Sequence, residues 1–185
     1  MISEIKKTIE VLKRGGLILY PTDTVWGIGC DATNTDAVKN IYKIKNRPSE
    51  KALICLVEDI KMLKKYISNI PKEINHLIND PTPTTIIYND PKNIAKNLVG
   101  SDNTLAIRIP RHLFSQRLIA EYGKPIVSTS ANINKNKTPK VFSEISSSIL
   151  EGVDHVVNLE KEKIGIMPSR IFKIGDNGKI LTIRK

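Results

Sequence analysis

Short clusters of hydroxyl, amide and guanidinium side chains stand at the ends of apolar segments in this sequence. The run Thr22-Asp23-Thr24 follows one such segment, Arg108 lies near the end of another, and Ser128-Thr129-Ser130-Ala131-Asn132 closes a third. Groups of these types hold phosphates and carboxylates and stabilise developing charge without a nucleophile–histidine–acid set. The clusters therefore predict a site that binds a phosphorylated or carboxylate-bearing ligand and works by positioning it.

Arg108 is the most informative of these residues, because it lies within a strand-like segment. Successive side chains of a strand alternate between its faces, so Thr104 and Arg108 lie opposite Leu105 and Ile107. An arginine among apolar strand residues needs an anionic partner or a pocket. We therefore expect Arg108 to face a ligand site.

The same alternation organises the serine cluster. Ser128, Ser130 and Asn132 share a face opposite Val127 and Thr129 if the segment is extended. A serine and an asparagine two residues apart can then present a hydroxyl and an amide to one ligand. The segment is also typical of a helix N-cap, which is the alternative interpretation.

A cationic cluster, Lys45-Asn46-Arg47-Pro48 with Lys51, follows the second predicted helix. On a helix, Lys45 and Arg47 would point roughly 200° apart. Because proline pushes the preceding residue into the extended region, Arg47 can leave the helix, and both cations can reach one anion.

Other nucleotide and metal sites are disfavoured. The chain has no G-x-x-x-x-G-K-[ST] motif, so a P-loop nucleotidase is excluded. Gly27-Ile28-Gly29-Cys30-Asp31-Ala32 fits the dinucleotide fingerprint, but Pro21-Thr22-Asp23-Thr24 separates it from the preceding strand. A Rossmann-type NAD-binding protein is kept as a remote alternative. Cysteines and histidines lack the spacing of a zinc site, and no metal ligand is assigned.

Composition places the chain among ordinary globular proteins. It has 185 residues, 40% of them hydrophobic, and a formal net charge of +10, which favours polyanionic partners such as nucleotides or RNA. No apolar run approaches the roughly 18 residues of a membrane span. The N-terminus alternates in charge and lacks a signal-peptide core. We expect a soluble, cytoplasmic protein with no membrane partner, in which Cys30 and Cys55 are buried thiols.

Periodicity predicts alternating helices and strands in one α/β domain spanning 1–185. Ser3 is a candidate cap for the first helix. The predicted helices are 3–14, 33–45, 59–67, 71–79, 113–122 and 141–150. The predicted strands are 17–20, 52–57, 84–88, 105–109, 125–129, 170–174 and 180–184, the last two joined by a Gly175-Asp176-Asn177-Gly178 turn.

Taken in order, these motifs resemble those of the YrdC/Sua5 family. The segment from Leu19 to Gly29 is similar to the family's opening motif, Lys45-Asn46-Arg47-Pro48 to its K-x-R-P motif, and Ser128-Thr129-Ser130-Ala131-Asn132 to its S-x-N motif. Leu105 to Pro110 resembles its V-R-x-P strand. The likeness extends from about residue 7 to residue 184. Because the chain ends at Lys185, it resembles the short, single-domain form of the family.

The resemblance implies a twisted, open mixed sheet with helices and a concave basic face. It also implies L-threonylcarbamoyladenylate synthase activity, a nucleotidyltransferase reaction on ATP, L-threonine and bicarbonate, with Mg²⁺ accompanying ATP. The product would enter tRNA t6A modification through a downstream transferase machinery. The residues implied for ATP are Lys45, Arg47, Lys51, Thr104, Asn132 and Arg184, and those implied for threonine are Thr24, Arg108, Ser130 and Ser169.

Some positions depart from the family pattern. Leu56 stands where many members have a histidine, and the loop after Asn132 differs from the usual one. The net charge and the expected basic face motivate a second hypothesis: a non-catalytic, double-stranded-RNA-binding member of the YrdC/YciO superfamily. Phosphate contacts from a basic face would give it sequence-independent RNA binding.

Overall fold

A computed structural model describes residues 1–48, 53–165, 167–175 and 178–185. The helices are α1 (Ile2–Lys13), α2 (Thr35–Ile44), α3 (Ile60–Leu63), α4 (Asn75–Asn79), α5 (Leu113–Tyr122) and α6 (Ser147–Gly152), with short 3-10 turns at Lys72–Ile74, Lys96–Leu98 and Phe142–Glu144. The strands are β1 (Ile18–Tyr20), β2 (Gly27–Gly29), β3 (Ile54–Leu56), β4 (Thr84–Asn89), β5 (Thr104–Arg108), β6 (Ile126–Ser130), β7 (His155–Val156), β8 (Arg170–Ile174) and β9 (Ile180–Arg184).

The strands form one nine-stranded sheet in the order β7-β1-β2-β6-β3-β5-β4-β8-β9. It is mixed: β3 pairs with β5 in parallel and β4 with β8 in parallel, whereas β6 is antiparallel to both β2 and β3. Strands β7 and β9 lie at opposite edges, so the sheet is open rather than closed into a barrel. The predicted α/β class and open mixed sheet are confirmed.

The two faces of the central strands differ in chemistry. On one face Val127, Cys55, Ile107 and Ile86 are successive cross-strand neighbours, and all are buried in the hydrophobic core. The pleat sends alternate residues to the opposite face, where one row of cross-strand neighbours runs from Arg108 on β5 to Arg184 on β9. The members of that face are Ser128, Ile54, Ala106 and Ile87 in one row, and Arg108, Thr85, Ile171 and Arg184 in the next.

Several helix boundaries differ from the predicted ones. Helix α1 begins at Ile2, so Ser3 lies inside its first turn and makes no cap hydrogen bond. Asn34 caps the start of α2, where its side chain accepts hydrogen bonds from the backbone of Asp36 and Ala37. In three predicted helices the α-helical part is shorter than expected. The structure has α3 in place of 59–67, a 3-10 turn and α4 in place of 71–79, and a 3-10 turn and α6 in place of 141–150.

The Gly27-Ile28-Gly29 segment is a strand, which periodicity did not predict. It pairs antiparallel with β1 on one side and with β6 on the other. A dinucleotide fingerprint needs its glycines in the turn that leads from a strand into a helix. The Rossmann interpretation of this segment is therefore wrong.

The short strand β7 was also not predicted from the sequence. Part of the predicted turn between the last two strands, Asp176-Asn177, lies outside the described residues.

Asp31 holds the end of the sheet against the start of α2. One of its carboxylate oxygens accepts hydrogen bonds from the backbone N–H and the hydroxyl of Thr33 at 2.7 and 2.6 Å. The other accepts from the Tyr122 hydroxyl at 2.7 Å and from the Lys124 ammonium at 3.0 Å. Burial alone would raise the pKa of Asp31, but these hydrogen bonds outweigh it and lower the pKa.

We expect Asp31→Asn to reduce the free energy of unfolding by about 2 kcal/mol at neutral pH, because the amide cannot accept from both Tyr122 and Lys124 while keeping its bonds to Thr33. A carboxyl whose pKa is lowered on folding stabilises the fold above its unfolded pKa, and this stabilisation is lost as the pH falls through its folded pKa. The difference between the two proteins should therefore shrink in acid. Urea denaturation at pH 7 and at a pH of about 3 measures it. An equal difference at both values would contradict the assignment.

Two observations bear on the other predictions. Among the described residues, no helix is long and apolar enough to cross a membrane. Cys30 and Cys55 are unpaired and buried, as predicted, and burial raises the pKa of both thiols. Such thiols are mostly protonated and inert at neutral pH.

Candidate functional site

A cavity of about 300 Å³ opens on the polar face of the sheet. Small-molecule sites usually have volumes of about 300–1,000 Å³, so this cavity is at the lower end of that range. Among the described residues that line it, three are arginines and none is acidic. It brings together six predicted site residues from distant parts of the chain: Thr24, Arg47, Arg108, Ser130, Ser169 and Arg184.

Arg108 lies at the base of the cavity with its side chain almost fully buried. One terminal nitrogen, Nη1, donates to the Thr24 hydroxyl at 3.2 Å, and the other, Nη2, lies 3.3 Å from Oδ1 of Asp23. Its Nε–H has no hydrogen-bond partner among the described residues, although the atom is buried. The Nε–H is therefore available to donate to the carboxylate of a ligand, and arginines commonly bind carboxylates through two such N–H groups.

The six-residue connection between β1 and β2 presents Thr24 to this guanidinium. The Thr22 hydroxyl donates to the Val25 carbonyl at 2.7 Å, so it accepts from both the backbone N–H and the hydroxyl of Thr24. The Thr24 hydroxyl proton is thereby committed to Thr22, and its oxygen accepts from Arg108. This connection is a rigid polar turn with both hydroxyls buried.

The last two strands complete the opposite wall of the cavity. The Ser169 hydroxyl is buried and shares a 2.7 Å hydrogen bond with the Thr85 hydroxyl on β4. The Arg184 guanidinium donates two hydrogen bonds to the Ser169 carbonyl, at 2.9 and 2.6 Å. These bonds tie β9 to the segment before β8 and hold Arg184 at the cavity.

Like charges face one another across this space. Partial burial and, after it, the charge of Arg108 lower the pKa of Arg184. Burial also lowers the pKa of Arg47. Both groups stay charged at neutral pH, because the pKa of an arginine is far above it. Three cations around one cavity make it a site for anions.

Lys45 has an unexpected position. Its side chain is 1% exposed, and its ammonium donates to the backbone carbonyls of Ser130 and Asn132. The ammonium thus fixes the backbone of the segment from Ser130 to Asn132. Burial and, after it, the charge of Arg47 lower the pKa of Lys45 to about 8. Its predicted contact with ATP stays a prediction, and in this structure its role is structural.

We expect one lysine of this protein to titrate near pH 8, because burial penalises the charged form of Lys45. An NMR titration of protein labelled at the lysine ε-carbon measures it. The matched control is Lys45→Arg, in which the low-pKa resonance should disappear. A titration of the Lys45 resonance at the ordinary lysine value, about 10.4, would contradict the burial and contacts described above.

Asn132 and Thr104 are not among the described residues that line the cavity. The Asn132 side chain organises its own loop, accepting from the Ser130 hydroxyl at 2.5 Å and donating to the Asn136 carbonyl at 2.6 Å. Thr104 shares the face of Ala106, two residues earlier on β5, and its hydroxyl donates to Asp102 at 2.7 Å. Lys51 lies outside the described residues.

Four polar residues belong to the site although sequence reasoning assigned none of them to a ligand. Ser128, Thr129 and Thr138 line the cavity, and Asp23 pairs with Arg108. Strand alternation already placed Ser128 on the face of Ser130, so that signal was available. The position of Thr138 depends on the loop that follows Asn132 and has no local signature.

The donor set suits an organic anion better than a bare metal ion. No group of three or more histidine, cysteine, aspartate or glutamate side chains in the described ranges could hold a metal. Asp23, whose carboxylate contacts a residue of the lining, already faces Arg108. A Mg²⁺ ion here would need ligands from something other than these side chains.

Comparison with known proteins gives consistent results. The Sua5/YciO/YrdC family model, described as "Telomere recombination", matches residues 10–185. A threonylcarbamoyl-AMP synthase from Pseudoalteromonas translucida is 38% identical over 184 residues, which cover 96% of each chain. Another, from Hahella chejuensis, is 35% identical over 153 residues, covering 82% of this chain and 83% of its own.

A solved structure supports the same grouping. The chain is similar to P. abyssi Sua5 complexed with L-threonine, with a TM-score of 0.83 and 26% sequence identity. The match covers 91% of this chain and 50% of that one. The chain thus spans about half the length of this structural relative and nearly the whole length of the relative from P. translucida.

Proposed function

Because the chain belongs to the Sua5/YciO/YrdC family, we propose that it is an L-threonylcarbamoyladenylate synthase, a nucleotidyltransferase. The observation that carries the proposal is the meeting of Thr24, Arg47, Arg108 and Ser130 with the residues of the closing strands in one cationic cavity. The named relatives and the threonine-bound neighbour support the same activity.

The amino-acid end of the site would be built around Arg108. Its unpartnered Nε edge suits the carboxylate of L-threonine. Hydroxyls of Thr24, Ser130 and Ser169 surround the same space and can satisfy a polar side chain. A site that hydrogen-bonds a substrate hydroxyl rejects analogues that lack it, because its own polar groups would then be left unpaired.

The nucleotide end would use Arg47 and Arg184. L-threonine, as the dipolar ion, and bicarbonate give N-carboxythreonine, water and one proton released from the ammonium group, and the new carboxylate attacks the α-phosphorus of ATP. An oxygen–phosphorus bond forms, the bond between the α-phosphorus and the bridging oxygen breaks, and pyrophosphate leaves with that electron pair. Guanidinium groups would neutralise the charge that accumulates on the phosphate oxygens. No nucleophile from the protein is needed.

Mg²⁺ would enter the site bound to ATP. We propose that the phosphate oxygens of ATP supply its ligands, since magnesium usually retains waters and takes few protein carboxylates. The cavity side chains then act on the organic parts of the complex. They orient the carboxylate, the hydroxyl and the phosphates and exclude bulk water from the reacting groups.

The test is a direct assay. The full chain is incubated with ATP, bicarbonate, L-threonine and Mg²⁺, and the acyl-adenylate is sought by mass spectrometry, with each substrate omitted in turn. We expect a product that requires all three substrates and is lost in Arg47→Ala while the circular dichroism spectrum is unchanged. Well-folded protein that forms no such product would refute the proposal.

The adenylate would be consumed by the machinery that installs t6A on tRNA, and RNA binding fits this placement. The net charge of +10 would attract RNA through its phosphates, with affinity falling steeply as salt rises. Titration of labelled tRNA at two salt concentrations distinguishes the roles. RNA binding without nucleotide turnover would favour the non-catalytic alternative.

A further inference from the structure

Asp23 is a carboxylate placed against an otherwise cationic cavity. Its side chain is 9% exposed, and Oδ1 lies 3.3 Å from Nη2 of Arg108, on the guanidinium that Thr24 also contacts. Its second oxygen accepts a hydrogen bond from the backbone N–H of Arg111 at 3.1 Å. The described lining of the cavity contains arginines and no acid, and Asp23 meets it through Arg108 and the neighbouring Thr24, both of which line the cavity.

This ion pair is incomplete on both sides. Oδ1 of Asp23 and Nε of Arg108 are buried, and neither has a hydrogen-bond partner among the described residues. Buried polar atoms in folded proteins are nearly always paired, so these two atoms of opposite sign each have the capacity for a further hydrogen bond, beyond the ion pair itself. The ligand that completes them must carry an acceptor for the nitrogen and a donor for the oxygen.

An α-amino acid at neutral pH meets both requirements. It is a dipolar ion, with a carboxylate and an ammonium on the same carbon. Arg108 alone would accept any small carboxylate, whereas Arg108 beside Asp23 presents a cation and an anion that match the dipole. Because Oδ1 is covered, its charge acts over a short distance at low dielectric, where electrostatic interactions are strong.

We propose that Asp23 is a specificity-determining residue that selects α-amino acids over the corresponding hydroxy acids and simple carboxylates by balancing the charge of the α-ammonium group. This inference rests on the proposed function, since it takes the Arg108 end of the cavity as the threonine site. It adds the reason why an amine-bearing substrate is preferred there.

A purely structural role for Asp23 can be separated from this one. The hydrogen bond from Arg111 anchors the connection between β1 and β2, and Asp23→Asn keeps an oxygen for it while removing the charge. Because the substitution also leaves the buried Arg108 without its counter-ion, it should lower the free energy of unfolding, and urea denaturation checks that the variant stays folded in the assay. Glu10→Gln on α1 is the matched control, because it removes one negative charge from an exposed position away from the cavity.

The experiment is isothermal titration calorimetry on the full chain with two probes: L-threonine and its hydroxy-acid analogue, in which a hydroxyl replaces the α-amino group. We expect the wild type to prefer threonine. In Asp23→Asn, the Kd for threonine should rise about tenfold, which is about 1.4 kcal/mol. The Kd for the hydroxy acid should stay the same or fall. Glu10→Gln should match the wild type.

The outcomes separate the two proposals. If the wild type binds neither probe, the proposed function fails and the inference fails with it. If it prefers threonine but Asp23→Asn weakens both probes equally or neither, the inference alone is wrong, because the ratio then does not depend on the charge. Should Asp23→Asn fail to fold, the neutral variant Asp23→Ser replaces it, and the same quantity decides: the Kd for the hydroxy acid divided by the Kd for threonine. If the wild type binds threonine and the hydroxy acid with equal Kd, the inference is wrong whatever the variants show.

Discussion

Replacing Arg108 with leucine should lower threonine-dependent product formation by about a hundredfold or more. Arg108 is the buried cation of the cavity, and its partners are the Thr24 hydroxyl and the Asp23 carboxylate. Removing one member of a desolvated charge pair typically costs about 2–5 kcal/mol. Arg108→Lys should fall in between, because an ammonium keeps the charge but cannot form a two-pronged contact with a carboxylate. Initial rates at saturating ATP measure both.

A stability control separates lost chemistry from lost folding. Arg108→Leu leaves Asp23 buried without its cation, which should destabilise the fold by about 3–5 kcal/mol. The double variant with Asp23→Asn removes the stranded charge and should recover much of that stability. Its activity should stay low, since no cation remains for the carboxylate. Activity that returns together with stability would show that Arg108 acts only on the fold.

Gly29→Ala should destabilise the protein by about 3 kcal/mol, at the upper end of the usual cost of overpacking. A Cβ at Gly29 would lie 2.6 Å from the Val127 carbonyl oxygen and 2.8 Å from a ring carbon of Tyr20. Backbone of β6 stands on one side and a buried ring on the other, so neither can give way cheaply. Sheet pairing around β2 would have to shift. Thermal denaturation followed by circular dichroism measures the effect.

Two other glycines provide matched controls. At Gly27 the added Cβ would lie 3.0 Å from the Ser128 hydroxyl and 3.4 Å from a Thr22 methyl group, both on side chains. Gly27→Ala should therefore fold well. Gly123 has φ +75° and nothing within 4 Å of the added Cβ, so Gly123→Ala costs only local backbone strain, about 1 kcal/mol. If Gly29→Ala were no more destabilising than these two, close packing would not be the reason for the glycine.

Several parts of the fold and site follow from local patterns. Strand alternation placed Thr104, Ala106 and Arg108 on one face, and in β5 they lie there, with Arg108 buried at the cavity. The polar clusters were also recognisable as motifs before any contact was known. Their roles toward ATP and threonine stay predictions that the experiments above test.

Other features depend on contacts that no local pattern contains. The Gly27-Ile28-Gly29 segment is only three residues long and is a strand because β1 and β6 pair with it. Lys45 and Arg47 looked equivalent in the sequence, yet Arg47 lines the cavity while Lys45 is buried beneath Ser130. What separates the two positions is the contact of Lys45 with the end of β6, 85 residues away in the chain.

The amino-acid sequence by itself determined which chemical groups the protein offers: hydroxyls, amides and a few arginines at strand ends, suited to an anionic substrate. Those properties are local, because they depend on side-chain type and on the repeat of helix and strand. Only the tertiary structure decided which of these groups meet. Thr24 and Arg108 are 84 residues apart, and their contact, like the orphaned edge of the Asp23–Arg108 pair, exists because the sheet brings distant segments together and removes them from water.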